Sequence, residues 1–521
     1  MDTFYNRFKG RIKGTITGFD RIIFKGMFRP LMYAGGMQSF LLSKKILNKD
    51  FKKFATTTSS AIIQTAEELS KRQCNCPTTY LWSSKQRKET LAHDRQKESG
   101  IKEGLIGIWS CVESCHTFRS TFNPNASAPV LRAVQSRCKH LYFYFDDPVY
   151  GFMSVRLQTW APYEIQIALN GRQWLRRSLD AAGCEYLLNE NKFLHIDDYD
   201  LAQKLLDQQR NADFEEILNR FLPSVFPLMP EILGRHLSYY FTVWQSEIAK
   251  DYLFESPDAL NPLMDDLMLH AMMTGTGQRI LKYFGSPIKA DGQPHARSNP
   301  EILSRTNRWY EGLRVRHWDG KNSVKFYNEH NVLRFEMTMN EPTKYKIHRH
   351  AEGQDKSEPK KIMAMRKGIA DISLRAATST DVVNRFIEHM SATKENTRLE
   401  ELLRTIATPL AHKHKKIRSL DVFGKDMELL RTISDPAFDV AGITNKALQK
   451  KMTGTSWAKG MSGSKLSGRI TRHLFLLRRH GLIKKQPSQR RYFLTKKGRN
   501  ITAAVSAALA SPIDELLKFA A

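Results

Sequence analysis

Lys465, Arg469 and Arg472 fall three and four residues apart in KLSGRITRHLFLLRRHG (465–481), the spacing that puts side chains on one face of a helix. Leu466, Ile470, Leu474 and Leu477 recur at the same spacing and form the face that packs inward. The basic segments LIKKQ and RYFLTKKG follow at once, around the turn Pro487-Ser488-Gln489-Arg490. Residues 451–500 hold 14 lysines and arginines and no aspartate or glutamate. A cationic helix with a cationic hairpin behind it suits a polyanion, the helix in a major groove and the hairpin on the adjacent backbone. The whole chain leans the same way, with 81 Lys and Arg against 53 Asp and Glu, a net +28. A solvated basic face is the plainer reading of a charge run.

Other chemistry-bearing residues lie in the first half. In KHLYFYF (139–145), strand alternation puts His140, Tyr142 and Tyr144 on one side, and the next strand offers Arg156 and Gln158. Aromatic, basic and amide groups on one sheet face can stack bases and hold phosphates, of DNA or of RNA. An ordinary half-exposed sheet explains the same pattern. Asp20, Glu113 and Asp146-Asp147 stand on or at the ends of strand-like runs, where carboxylates could hold Mg²⁺ or Mn²⁺ for phosphodiester cleavage; Asp147-Pro148 reads more simply as a turn. The six cysteines are too few for a disulfide framework, so a cytoplasmic setting is expected. Cys74-x-Cys76, Cys111-x3-Cys115 and Cys138-x-His140 lack the paired C-x2-C spacing of zinc sites, and buried thiols are expected instead. No apolar run is long enough for a membrane helix, and the basic N-terminus lacks a signal-peptide core.

The elements that must position these residues can be read from periodicity. Strands are expected at 12–26, 105–112, 139–145, 151–159, 163–169 and 192–196, and helices at 36–46 and 50–71. Asn170 should cap a helix ended by Gly183, and an acidic helix should run from 198 to about 220. A second set begins with a long strand (237–249) and a helix (258–283). Strands at 312–318, 322–328 and 331–339 follow, with Asp319-Gly320 as a hairpin turn. A polar loop (351–361), a helical stretch (362–407) and a basic connector (411–419) come next. The order from 420 to 518 is helix, helix, helix, strand, turn, strand, helix. The expected fold class is α+β: an N-terminal α/β domain (1–235), a second (236–350), a linker and helical connector (351–419) and a C-terminal winged helix (420–521).

The run HGLIKK…RRYFLTKKGR resembles the winged helix of MarR-type regulators over about the last hundred residues. That resemblance implies that Ser464, Lys465, Ser467, Arg469, Arg472 and His473 face base edges or phosphates of duplex DNA. Lys484, Lys485, Arg490 and Arg491 would lie on the wing. Such regulators are far shorter than this chain.

Asp319-Gly320-Lys321-Asn322-Ser323-Val324-Lys325-Phe326-Tyr327-Asn328, followed by Leu333-Arg334-Phe335-Glu336, resembles the hairpin of rolling-circle replication initiators from plasmids and filamentous phages. This implies Glu336 as a ligand of a divalent metal and a tyrosine, Tyr327 or Tyr345, as the group that attacks DNA. The match spans about twenty residues and lacks a His-hydrophobic-His motif, since His348-Arg349-His350 has a charged centre. DRIIF, SCVESC, CKHLYFYF and NVLRFEMTMNEP are in the style of a bacterial protein group associated with mobile DNA, which implies no particular reaction. Three functions stay open: a mobile-element protein that nicks, initiates replication on or transposes DNA, a non-catalytic DNA-binding regulator, and an RNA-binding ribonucleoprotein component.

Overall fold

A computed structural model describes residues 2–234, 237–286, 302–309, 312–351, 353–355, 357–391, 399–412, 415–435, 438, 442–486 and 490–510. The chain is α+β and divides into two compact units. The first holds Met1–Met264, Asn307–Arg314 and Lys321–Asn384; the second holds Asp265–Thr306, Val315–Gly320 and Arg385–Ala521. No helix among the described residues is long and apolar enough to cross a membrane.

Nine strands of one large sheet lie entirely within the first unit. Their order is Asn322–Glu329, Val332–Met339, Tyr240–Phe254, Ile12–Met27, Ile165–Asn170, Gly151–Gln158, Ala128–Asp147, Gly104–Asn123 and Thr79–Tyr80. Every pairing between these neighbours is antiparallel except the last, where Thr79–Tyr80 runs parallel to Trp109–Ser110. Tyr240–Phe254 pairs with Ile12–Met27 on one side and with Val332–Met339 on the other. The domain boundary expected at 235 is therefore crossed by continuous ladders, and strands from both sides of it share one sheet.

One face of this sheet is apolar. Phe19, Ile22, Phe24, Leu141, Phe143, Val155, Ile167 and Ile248 alternate out of their strands onto it, and residues of helices Ala34–Ser43, Phe51–Cys74 and Phe214–Arg220 pack with them. The other face is covered at its ends only. Ile16, Leu253 and Val332 meet helices Gly171–Ala182 and Tyr199–Arg210 and the hairpin Tyr186–Asn189/Lys192–Ile196. At the opposite end Trp109, Tyr144 and Phe152 cluster with Ala92 of helix Lys88–Ser99.

Several elements differ from expectation. The strands expected at 105–112 and 139–145 are halves of a long hairpin, Gly104–Asn123 and Ala128–Asp147, with Ser127 in the left-handed region (φ 45°) at its tip. Its outer part carries polar residues on both sides and so shows no apolar alternation; exposed Arg119 even faces exposed Arg132 across the ladder. The helix expected over 258–283 breaks between Pro257–Thr274 and Gly277–Phe284. Residues 362–364, expected to be helical, belong to a strand, Lys361–Ala364, paired with Lys346–Arg349. Asn170 does cap its helix, accepting from the Arg172 and Gln173 amides, and Gly183 ends it at φ 67°. A Cβ on Gly171 would stand 2.1 Å from the Phe19 carbonyl oxygen, so only glycine lets this helix start hard against the strand.

That close start drives Arg172 into a charged cluster between helix and sheet. Where the ladder shifts between Phe19 and Arg21, Asp20 is the extra residue, and it turns onto the same face as Arg21. Arg334 grips Asp251 with two hydrogen bonds (Nε–Oδ1 2.6 Å, Nη2–Oδ2 2.8 Å) and reaches Asp20 with Nη1 at 2.7 Å. Arg172 Nη2 lies 3.0 Å from Asp251 Oδ2, and Asn191 Nδ2 donates to Asp20 at 2.9 Å. Arg172, Arg334 and Asp251 are almost wholly buried, and burial alone would raise the Asp20 carboxyl; Arg334 and then Arg172 hold it below its ordinary value.

Ions so placed need one another, because removing one leaves the others unpaired in a poor solvent. Arg334→Met is expected to destabilise the first unit by about 3–5 kcal/mol in urea unfolding. Asp197→Ala, which breaks a contact with His195 that is 46%/53% exposed in the same unit, is expected to cost less than about 1 kcal/mol. Equal losses would mean that the cluster does not hold the unit together.

Candidate functional site

Beside this cluster the polar face continues into a row of reactive groups. Lys325 Nζ lies 3.0 Å from Glu336 Oε1, and the Tyr327 hydroxyl and Thr338 Oγ1 each approach the same carboxylate at 3.4 Å. Register places Thr338 opposite Glu247, and Glu247 opposite Arg21. Gln245 Nε2 donates to Glu247 Oε1 at 2.7 Å, and Arg21 Nε stands 4.0 Å from Oε2. Burial first, then the Glu336 carboxylate, pushes Glu247 up to about 7, against Arg21. Two carboxylates thus sit at the margin of the covered region, one buried and one within reach of water.

Tyr327 is 3% exposed, and burial holds its phenol well above its ordinary range despite Arg334 nearby. Its hydroxyl is directed at Glu336 and not at solvent. Tyr345 is half-buried at the end of the turn Pro342–Lys344, where its carbonyl accepts from the Met365 amide.

The expected metal ligands are dispersed. Asp20 is taken up by Arg334, and Glu336 by Lys325. Glu113 accepts from Tyr142 (2.6 Å) and from Arg156 (2.9 Å), with Lys88 Nζ at 3.6 Å. Among the described residues no three of His, Cys, Asp and Glu converge where an ion could be held. Asp146 and Asp147 are likewise engaged, by Arg177 and by the Val149 and Tyr150 amides respectively.

The sheet face expected to meet nucleic acid is only partly open. His140, Tyr144 and Gln158 are 1%, 6% and 2% exposed: Tyr144 lies in the cluster that includes Ala92, and Gln158 Nε2 donates to the carbonyls of His116 and Trp160. Alternation puts these side chains on one face but does not reveal which helix lands on it. Tyr142 and Arg156 are half-buried over Glu113. From Arg156 a row runs through Gln166 to Lys25. With Ser154, Ala168, Ile23 and Thr242, these residues form a half-exposed strip in the middle of the face. Glu247, Lys25 and Trp244 on this strip were not singled out from sequence. A carboxylate in an otherwise strand-like run (237–249) was the available signal.

In the second unit, helices Met427–Ile433, Asn445–Met452 and Gly463–Arg479 enclose one apolar core with the hairpin Ile483–Lys485/Tyr492–Leu494 and helix Lys496–Ala510. Thr444 caps the Asn445 helix by accepting from the Ala447 amide, and Ile443 bridges to Tyr492. Leu466, Ile470, Leu474 and Leu477 are buried, as their spacing requires. Ser464, Lys465, Arg472, Lys484, Lys485 and Arg490 are exposed; the hairpin tip at Pro487, Ser488 and Gln489 lies outside the described residues.

Four of the residues expected to face DNA turn toward the protein. Ser467 Oγ donates to Asn445 Oδ1 at 3.1 Å, and the Arg469 guanidinium lies 4.4 Å over the Trp457 ring. His473 is held between the Arg469 carbonyl (2.8 Å) and Arg418, which pairs with Asp426. Arg491 packs over Gly442, where a Cβ would meet its Cγ at 2.4 Å. Helical spacing gives a face but not the bulk of what packs beside it. Thr471 and Phe475 are exposed on the same helix instead, with Arg479 5.0 Å over the Phe475 ring.

The raised Glu247 carboxyl has a measurable consequence. Between its ordinary 4.5 and about 7, the folded chain keeps a proton there that the unfolded chain has lost. Stability therefore falls as pH rises through that window. Glu247→Gln is expected to abolish the fall, gaining on the order of 3 kcal/mol over the parent at about pH 8 and nothing at about pH 4. Urea titrations at the two pH values check this, and an unaltered pH profile would show that the carboxyl titrates normally. Comparison of the chain with family models, with curated proteins and with solved structures returns no match.

Proposed function

We propose that this chain is a DNA-binding protein of a mobile element whose C-terminal unit is a winged helix that docks on duplex DNA. The observation that carries the reading is the concentration of exposed cations on two adjoining elements. Ser464, Lys465 and Arg472 stand on helix Gly463–Arg479, and Lys484, Lys485 and Arg490 on the hairpin after it. No acidic residue lies anywhere in 451–500. Thr471 and Phe475 extend the helix face with a methyl group and an apolar ring, groups that suit the thymine methyl in a major groove. The interior of the unit supports the same use: Trp457 under Arg469, and Asp426 and Arg418 beside His473, fix the helix from behind and leave its outer stripe free of packing duties. Docking is common to the DNA-processing and the regulator readings. With Tyr327 enclosed, processing would require another nucleophile, and the docking role is the one the geometry favours.

Fluorescence anisotropy on a selected duplex, across a salt series, tests this. Arg472→Ala is expected to weaken the selected site by about 1–3 kcal/mol while changing random duplex less. Lys484→Ala and Lys485→Ala are expected to weaken all duplexes alike, each reducing the slope of log K against log salt by about 0.9. Unchanged affinity in all three variants would make this unit a protein-binding module.

A further inference from the structure

Trp244 stands where the ladder between Tyr240–Phe254 and Ile12–Met27 slips. Ile23 faces Gln245 and Phe24 faces Val243, so Trp244 is the extra residue of a bulge. A bulge re-aims a side chain, and here it turns the indole out until it is 52% exposed, while neighbouring Val243 is 2% exposed. A large apolar ring is thereby left half in water. The Lys25 ammonium lies 3.9 Å from the centre of the ring. Further along the strand, Tyr240 is 36% exposed with the Arg29 guanidinium 3.4 Å over its ring. Met27 and Thr242, between these two stacks, are half-exposed, as are Gln166 and Arg156 beyond Lys25. Arg21 and Arg156 face Glu247 and Glu113, whereas Lys25 and Arg29 rest on aromatic rings.

We propose that Trp244 and Tyr240, with Lys25 and Arg29, form a stacking platform for single-stranded DNA on the open strip of the first unit's sheet. Exposed rings with a cation beside each match unpaired bases on a phosphodiester backbone, because every base has a stacking face and every step a negative charge. Each cation swings from its ring to a phosphate as a base takes the ring. A duplex, whose bases already stack on one another, has no use for such a surface. The choice of DNA over RNA rests on the duplex-docking reading of the C-terminal unit; the platform itself does not.

The test uses the full chain with three fluorescent probes: an oligo(dT) of about 20 nucleotides, an oligo(U) of the same length and a duplex. Trp244→Ala and Tyr240→Ala are each expected to lower oligo(dT) affinity by about 5- to 150-fold, with Trp244→Phe retaining most of it. Duplex affinity is expected to change less than about twofold, and Lys484→Ala with Lys485→Ala to do the reverse. Both rings are solvent-facing, so an unchanged thermal midpoint confirms that the variants fold. Parent-like oligo(dT) binding by Trp244→Ala, or equal losses on oligo(dT) and duplex, would overturn the platform. Binding of oligo(U) without oligo(dT) would overturn the choice of DNA. Oligo(dT) binding that depends on Trp244 in a chain that ignores duplex would uphold the platform and remove the docking reading instead.

Discussion

The first unit depends on two arginines that have no water to dissolve in. Arg172 and Arg334 are held by Asp20 and Asp251, and these four residues come from a helix and three strands that together span more than three hundred positions of the chain. Hydrophobic burial is tolerant of small shifts, but a bidentate carboxylate–guanidinium pair is not. The cluster therefore fixes the register of Val332–Met339 against Tyr240–Phe254 and the depth to which helix Gly171–Ala182 sits. A slip of one residue would turn Arg334 to the apolar face and leave Asp20 and Asp251 to share Arg172 alone. The same constraint shapes the neighbouring strip. With Asp20 bulged toward Arg334, Arg21 follows on the same face, meets Glu247, and brings Ile23 and Lys25 into line beyond it.

Strand alternation made much of this sheet legible. Residues 12–26, 151–159, 163–169, 322–328 and 331–339 read as strands from sequence because each sets apolar residues against polar ones, and each is a strand. What alternation could not convey was closure. His140 and Tyr144 belong to the polar set of their strand, yet helix Lys88–Ser99 packs at that end of the face. That helix has little apolar periodicity of its own to announce where it would dock. The outer half of the long hairpin was invisible for another reason, since few of its residues, Phe118 and Leu131 among them, reach the core.

The site was legible in type more than in place. Glu336 and Tyr327 do share a polar sheet face, as the spacing of their hairpin implies, but the spacing says nothing of Arg334, Lys325 and the neighbouring hairpin that close over them. Glu247 and Trp244 escaped notice because their significance comes from partners in other strands and from a register slip. In the C-terminal unit Lys465 and Arg472 are exposed, as helical spacing implies. Arg469 and His473 are half-buried, where Trp457 and Asp426 arrive from elsewhere in the chain.

The facing pair Arg119 and Arg132 gives the long hairpin a character unlike that of the sheet it grows from. Two strands of 20 residues each extend for roughly 65 Å, and Phe118 and Leu131, on either side of that pair, still pack into the core of the first unit. Near the free end, like charges lie directly across a rung, an arrangement that loosens a ladder. The Arg119–Arg132 rung should therefore be looser than its neighbours, and its amide hydrogens should exchange faster in dilute buffer than those of Phe118 and Leu131. Added salt, by screening the two guanidiniums from each other, should slow that exchange. The hairpin thus carries one rung sensitive to ionic strength beside side chains that are held in the core.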